Sequence, residues 1–267
     1  MSHKIGIIGG SGFYSLIENS ELLQVETRYG KPSDNVSIGE INGVEVAFIP
    51  RHGINHTIPP HRVPYRANIA ALESLNVSRI IATNAVGSLR SDYAPGDFVL
   101  FDQFINMTHG RHDTFFDEDT VAHVGMADPY CPDMRNIASG ELSRLKIRYH
   151  ETGSVVVING PRFSSRAESR FFAKQGFDTI NMTQYPESAL AREKGICYLG
   201  IGLVTDYDVG LEGNPGIKPV NAQEINRVFG KSINQAKELV KSIVPLAAHE
   251  LSCSCKNALD NSIVTKK

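Results

Sequence analysis

The chain holds 267 residues, 41% hydrophobic and 21% charged, with a formal charge of −2. That size suits one large core rather than two small ones, and a charge so close to zero offers no electrostatic footprint for nucleic acid. The longest nearly apolar run, residues 196–204, falls far short of the ~20 that a membrane-spanning helix needs, and residues 1–4 lead into an apolar stretch without a secretory leader, so a soluble, cytoplasmic protein acting on a small molecule is expected.

Apolar residues 4–8 run into Gly9-Gly10-Ser11-Gly12, a buried strand ending in a glycine turn. Residues 36–41 and 44–49 flank Asn42-Gly43, the short-range signal of a type I′ hairpin, so the sheet should be mixed. A helical stripe at Ile69, Ala70, Leu72 and Leu75 marks residues 66–75 and feeds a strand over 79–85. Further strands are expected over 97–101, 154–158, 179–182 and 196–204, separated by helices over 134–145, 165–175 and 186–194. Residues 213–219, rich in Pro and Gly, look like a loop. A last helix starts at Asn221, with Glu224 reaching back in a capping box, and carries Ile225, Val228, Phe229, Ile233 and Ala236 on one face to about residue 246. Alternation of this kind argues for an α/β fold. Residues 1–250 form one domain, followed by a polar tail over 251–267.

Four cysteines, Cys131, Cys197, Cys253 and Cys255, are too few for a disulfide scaffold. Cys253-Ser254-Cys255 stands out because packing offers no explanation for it in a polar tail.

The glycine turn exposes consecutive backbone N–H groups that can cradle a phosphate, with the Ser11 hydroxyl as a further donor, although such glycines also serve as plain tight turns. A dinucleotide fingerprint fits poorly, since its third glycine position is Ser15. Arg51 and His52 follow the strand over 44–49, which puts a guanidinium suited to bidentate phosphate binding at a strand end, where α/β ligands collect. His52, His56 and His61 are not expected to hold a metal, because Pro59 and Pro60 break any helix that would align them and no acid or thiol completes a ligand set.

Asp206 and Asp208 emerge at the end of the buried run 196–204, and extended alternation would point them the same way. A carboxylic acid there can protonate a leaving base. Phe163 and Ser164 lie just before the helix over 165–175, where Phe163 can stack on a heterocycle or join the core. Ser165 with Glu168 can equally form a capping box.

In combination, residues 5–12, Arg51-His52-Gly53, residues 65–69, residues 85–89, residues 160–169, Asn181-Met182-Thr183 with Pro186-Glu187, and residues 205–208 resemble the methylthioadenosine phosphorylase branch of the trimeric purine nucleoside phosphorylase family. The resemblance covers nearly the whole chain. It implies a mixed, partly barrel-like sheet flanked by helices, and phosphate held by Ser11, Arg51, His52, Asn84, Ala85 and Thr183. It also implies Met182 under the ribose, and Phe163, Ser164, Asp206 and Asp208 around the base. His123 looks like the histidine that a neighbouring subunit supplies near the 5′ substituent, in a trimer or dimer of trimers. No cofactor is implied, since inorganic phosphate is a co-substrate. Two departures affect the sugar wall: Asn84 stands where some members have threonine, and Gln184-Tyr185 replaces a pair with shorter side chains. The Cys-Ser-Cys tail resembles that of hyperthermophilic archaeal members, where a disulfide is implied, with Cys253–Cys255 and Cys131–Cys197 both open as pairs.

The activity so implied is phosphorolysis of 5′-methylthioadenosine to adenine and 5-methylthioribose 1-phosphate, with protonated Asp206 donating to purine N7. A protonated carboxyl matches the N7 acceptor and N6 donor of a 6-aminopurine. Phosphorolysis of a 6-oxopurine nucleoside such as inosine, guanosine or methylthioinosine is the alternative. A dinucleotide-dependent oxidoreductase and a non-catalytic nucleoside-binding protein are rivals of other classes.

Overall fold

The computed structural model describes residues 3–210, 216–217 and 219–265; the side chains of Ser11, Tyr14, Glu224 and Lys231 lie outside the described atoms. Ser11 as a hydroxyl donor, the Glu224 half of the expected capping box and most of the loop over 213–219 therefore fall outside the described part.

Eleven strands are described: β1 (Lys4–Gly9), β2 (Glu18–Leu23), β3 (Val36–Ile41), β4 (Val44–Pro50), β5 (Val77–Ser88), β6 (Phe98–Leu100), β7 (Gln103–Met107), β8 (Tyr149–His150), β9 (Ser154–Ile158), β10 (Thr179–Asn181) and β11 (Cys197–Asp206). Five α-helices accompany them: α1 (Tyr65–Ser74), α2 (Pro132–Arg144), α3 (Arg166–Lys174), α4 (Gln184–Glu193) and α5 (Ala222–Ala247). The hairpin forms at Asn42-Gly43, with φ of 52° and 74°, and joins β3 to β4 antiparallel. Two residues with positive φ are what a type I′ turn demands. Strands β2, β7 and β8 were not expected: β2 is exposed throughout and carries no alternation to read. At α4, Tyr185 has extended dihedrals (φ −110°, ψ 134°) because Pro186 disfavours a helical residue before it, so the regular helix starts at Pro186.

Long β5 organises the sheet. Its first half pairs in parallel with β1 on one side and β11 on the other, while Gly87 and Ser88 pair antiparallel with β10. The path β2-β3-β4-β1-β5-β10-β9-β7 therefore branches at β5 toward β11, β6 and β8. The sheet is mixed, and it branches rather than closes. Both faces are covered. Ile5 and Ile7 of β1 enter a core with Leu239, Val240, Ile243 and Val244 of α5 and Met134 and Leu142 of α2. Ile8 points the other way, toward Ile69 and Leu72 of α1 and Leu190 of α4. Each such fully buried side chain contributes roughly 1.5–3 kcal/mol.

The tail corrects an expectation. Cys255 is 3% exposed and belongs to the α2–α5 core, with Leu251 and Cys253 packed against it. Gly195 makes this possible: it sits at φ 65°, and a Cβ there would stand 3.1 Å from the Lys256 carbonyl oxygen. All four cysteines are free thiols.

Candidate active site

Parallel pairing brings four strand ends to one place. Gly9 of β1 lies opposite Pro50 of β4, Ile8 opposite Ala82 of β5, and Gly202 and Asp206 of β11 opposite Asn84 and Gly87. The glycine turn, Arg51, Asn84 and Asp206 thus share the carboxyl edge of the sheet, where open α/β sheets bind ligands. Asn84 and Gly87 are three residues apart on β5, ~10 Å at the usual strand rise. That matches the span of a sugar with a phosphate on one side and a base on the other.

Arg51 is buried and already committed. Its Nε and Nη2 donate to the two carboxylate oxygens of Glu187, each at 2.8 Å, and Nη1 donates to the Thr83 carbonyl at 2.9 Å. Burial alone would lower the Arg51 pKa, but the charge and hydrogen bonds of Glu187 hold it above its ordinary value. The fork therefore grips Glu187 bidentately, leaving one Nη1 hydrogen without a protein acceptor among the described residues, so the two-pronged grip on phosphate expected from the sequence is not open to it. Glu187 is fully buried and also accepts from the Tyr198 hydroxyl at 2.7 Å.

Asn84 and Thr183 meet beside it. Asn84 Nδ2 donates to Thr183 Oγ1 at 2.7 Å, which leaves the threonine hydroxyl hydrogen free for a ligand. Gln184 Nε2 donates to Asn84 Oδ1 at 2.5 Å, and the Tyr130 hydroxyl donates to Gln184 Oε1 at 2.9 Å. Gly200 makes room for this chain, since a Cβ there would come within 2.7 Å of Gln184 Oε1. Ala85, next along β5, is exposed within an otherwise buried strand. His52 donates from Nδ1 to the Ile58 carbonyl at 2.8 Å. Burial, followed by the charge of Arg51, lowers its pKa to about 4, so the ring is neutral at pH 7 and its Nε2 is an acceptor.

The two aspartates are juxtaposed by a turn and not by strand alternation. The β5–β11 register slips at Thr205, and Asp208 has φ 50°, so the chain folds back and the Asp208 amide donates to Asp206 Oδ1 at 2.7 Å. Gly87 permits the approach: a Cβ there would lie 3.1 Å from Asp206 Oδ1 and 3.3 Å from Asp208 Cβ. Burial raises the Asp206 carboxyl to about 6, against the hydrogen bond that it accepts from the Thr205 hydroxyl at 2.7 Å. Burial also raises Asp208, tempered by Ser169 and Ser164. Asp208 Oδ2 and Ser164 Oγ are buried polar atoms without a well-formed hydrogen bond, as expected of groups that meet a ligand.

Gly160 docks the Phe163 loop against Met182. It has φ 66°, and a Cβ would fall 2.5 Å from Met182 Sδ. Phe163 itself is 38% exposed, so it is not core, and Ser165 with Glu168 does form the capping box of α3. Arg111, unassigned from the sequence, donates from Nη2 to the Met182 and Asn159 carbonyls at 2.9 and 3.0 Å, and from Nη1 to the Tyr185 carbonyl. It ties the loop before Gly160 to the end of β10. His123 is not brought to this cluster. It is exposed, and its amide donates to the Ser262 carbonyl at 2.8 Å.

Residues 4–245 match the family model of the phosphorylase superfamily. The chain belongs to that superfamily. It is 52% identical to the S-methyl-5′-thioadenosine phosphorylase of Pyrococcus horikoshii over 261 residues, covering 98% of this chain and 99% of that protein. It is 48% identical to the Saccharolobus solfataricus protein of the same name over 267 residues, covering 98% and 97%. Among solved structures, methylthioadenosine phosphorylase from an antarctic soil metagenomic library superposes with a TM-score of 0.92 at 41% identity, covering 99% of this chain and 93% of that one. The Schistosoma mansoni methylthioadenosine phosphorylase in complex with adenine superposes at 0.91 with 37% identity, covering 97% and 98%. Among the described residues, no helix is long and apolar enough to cross a membrane.

Proposed function

We propose that this chain catalyses phosphorolysis of 5′-methylthioadenosine, giving adenine and 5-methylthioribose 1-phosphate. The observation that carries the substrate side is the Asp206 carboxyl, raised to about 6 opposite Gly87 on the same sheet edge that presents the glycine turn and Arg51. A neutral carboxyl can donate to an acceptor while its second oxygen accepts, the pattern that a 6-aminopurine offers at N7 and N6.

In this proposal a phosphate oxygen attacks C1′ as the C1′–N9 bond breaks. The bonding pair passes to the base, and the Asp206 proton goes to N7. The sugar in between carries oxocarbenium character, which the anionic phosphate stabilises from below. The Thr205 hydroxyl lies 3.2 Å from the Val86 carbonyl and 2.7 Å from Asp206 Oδ2, and its one hydrogen can serve either. Turned to Val86, it accepts from protonated Asp206; turned to Asp206, it stabilises the carboxylate left after transfer. No cofactor is needed, because phosphate is consumed as a co-substrate. His123, exposed here, reaches the 5′ substituent of a neighbouring copy in a trimer or dimer of trimers, and the protein works in the cytoplasm in purine and methionine salvage.

The experiment is an assay of kcat/KM for methylthioadenosine, adenosine, methylthioinosine and inosine, each with and without phosphate. Phosphate-dependent release of adenine, with methylthioadenosine the best substrate, is the expected outcome. A preference for the oxo compounds, or turnover without phosphate, would overturn it.

A further inference from the structure

Four sulfurs lie at the opposite end of β11 from Asp206, ~30 Å along the strand. Cys131 is the N-cap of α2, Cys197 opens β11, and Cys253 and Cys255 come from the segment after α5. All four Sγ atoms lie within 4.8 Å of one another, with Cys197 and Cys253 3.4 Å apart. The corners of a zinc tetrathiolate, with Zn–S near 2.3 Å, stand ~3.8 Å apart. Modest side-chain rotations therefore put all four sulfurs at bonding distance from a single point.

The surroundings suit a charged centre. Tetrathiolate zinc carries two negative charges, and Cys131 stands at the N-cap of α2, where the helix dipole favours them. Arg192 Nη1 adds a cation 3.8 Å from Cys255 Sγ. The ligand-bearing segment is also held in register: Asp133 accepts from the amides of Ser252 and Cys253 at 2.6 and 2.9 Å. A set of four thiolates selects a soft, tetrahedral divalent ion over magnesium or calcium.

We propose that Cys131, Cys197, Cys253 and Cys255 form a tetrathiolate site for a zinc-type divalent cation that fastens the C-terminal segment to the core. This reverses the sequence-based expectation of no metal, which weighed only the histidines. The staple has a reach. Beyond it, the Val264 amide donates to the Val121 carbonyl at 2.9 Å, Ile263 bridges Ala122, and Ser262 accepts from the His123 amide. The ion therefore supports the backbone of the His123 segment, a consequence that rests on the proposed role of His123 in a neighbouring site.

The test is metal analysis of the full-length protein, expressed with zinc and purified without oxygen. One zinc per chain is expected, with four thiols titrating after denaturation in chelator. Replacement by cobalt should give the visible bands and thiolate charge-transfer absorption of tetrahedral sulfur coordination. Cys253→Ser and Cys255→Ser should each lower zinc retention at least ~10-fold and speed amide exchange at residues 121–123. Two disulfides and no metal in the anaerobic protein, cobalt bound without those bands, or zinc retained unchanged in both variants would each overturn the site. If the variants lose zinc but KM for the nucleoside holds steady, the staple stands and the role given to His123 fails.

Discussion

Gln184 Nε2 donates to Asn84 Oδ1, and Asn84 Nδ2 in turn donates to Thr183 Oγ1. Asn84 and Gln184, which the sequence sets apart together with Tyr185 as departures from the family pattern, are thus one hydrogen-bonded unit. Threonine at position 84 would leave the buried Gln184 amide without its acceptor, and a short residue at 184 would leave Asn84 Oδ1 without its donor. Each single change, Asn84→Thr or Gln184→Ser, should raise KM for phosphate and lower thermal stability. The double variant should recover part of the loss, with a coupling of at least ~0.5 kcal/mol. Additive effects in a double-mutant cycle would show that the two residues act independently.

Glu187 holds the Arg51 guanidinium by two hydrogen bonds in a fully buried setting. Removing the carboxylate strands a buried cation, which costs ~3–5 kcal/mol where both charges are desolvated. Glu187→Ala should therefore unfold at a much lower urea concentration, and phosphate should restore part of the stability by neutralising Arg51. Glu187→Gln should lose less. Urea midpoints with and without phosphate decide it: no extra protection by phosphate in Glu187→Ala would mean that Arg51 does not face the anion.

Much of this was legible beforehand, for identifiable reasons. Strand ends after apolar runs announced Gly9 to Gly12, Arg51 and Asp206, because a buried run must surface where polar residues begin. Glu187 and Tyr198 are both buried by polar partners: Glu187 in an ion pair with Arg51, 136 residues away, and Tyr198 by donating its hydroxyl to that same carboxylate. The available signal was the anomaly itself, since a charge in a buried helix needs a partner. Arg111 offered no such signal: its partners are backbone carbonyls, which leave no trace in residue type. The tail was misread because Gly195, the glycine that admits it, lies 60 residues before Cys255.

His52 donates its Nδ1 hydrogen to Ile58 and is neutral at pH 7, its pKa lowered from 6.5 to about 4 by burial and then by Arg51. The folded chain thus binds fewer protons here than the unfolded chain between those values, and stability falls as pH drops through that window. With Nε2 left as an acceptor, the group suits an anion that carries a hydroxyl. Arsenate, which keeps one at neutral pH, should replace phosphate efficiently. Sulfate has none and should compete at least ~10-fold more weakly, the value of one hydrogen bond. Equal competition by the two anions would rule out this proton arrangement.

The Asp206 carboxyl has the opposite sign. Burial, the largest cause, lifts it from 3.8 to about 6, so the folded chain holds a proton that the unfolded chain has released, and this group subtracts from stability as pH rises through that window. If the proton is the one delivered to N7, kcat/KM should fall with rising pH, with an apparent pKa near 6 in the free enzyme. Excluding water with bound nucleoside should move the same limb of kcat upward. Asp206→Ala should lower kcat at least ~10²-fold with the fold intact. Asp206→Asn replaces the donated proton with an amide hydrogen that does not titrate, so the alkaline limb should disappear. The amide can still donate to N7, but its remaining groups match O6 of a 6-oxopurine as well as they match N6 of adenine. The ratio of kcat/KM for methylthioadenosine over methylthioinosine should therefore fall by ~10² or more, since a mismatched buried polar group costs factors up to ~10⁴. Measuring both substrates from pH 5 to 8 in the native enzyme and Asp206→Asn tests limb and selectivity together. An alkaline limb that survives in the variant would place the proton donor on another residue, with Asp208 the next to replace.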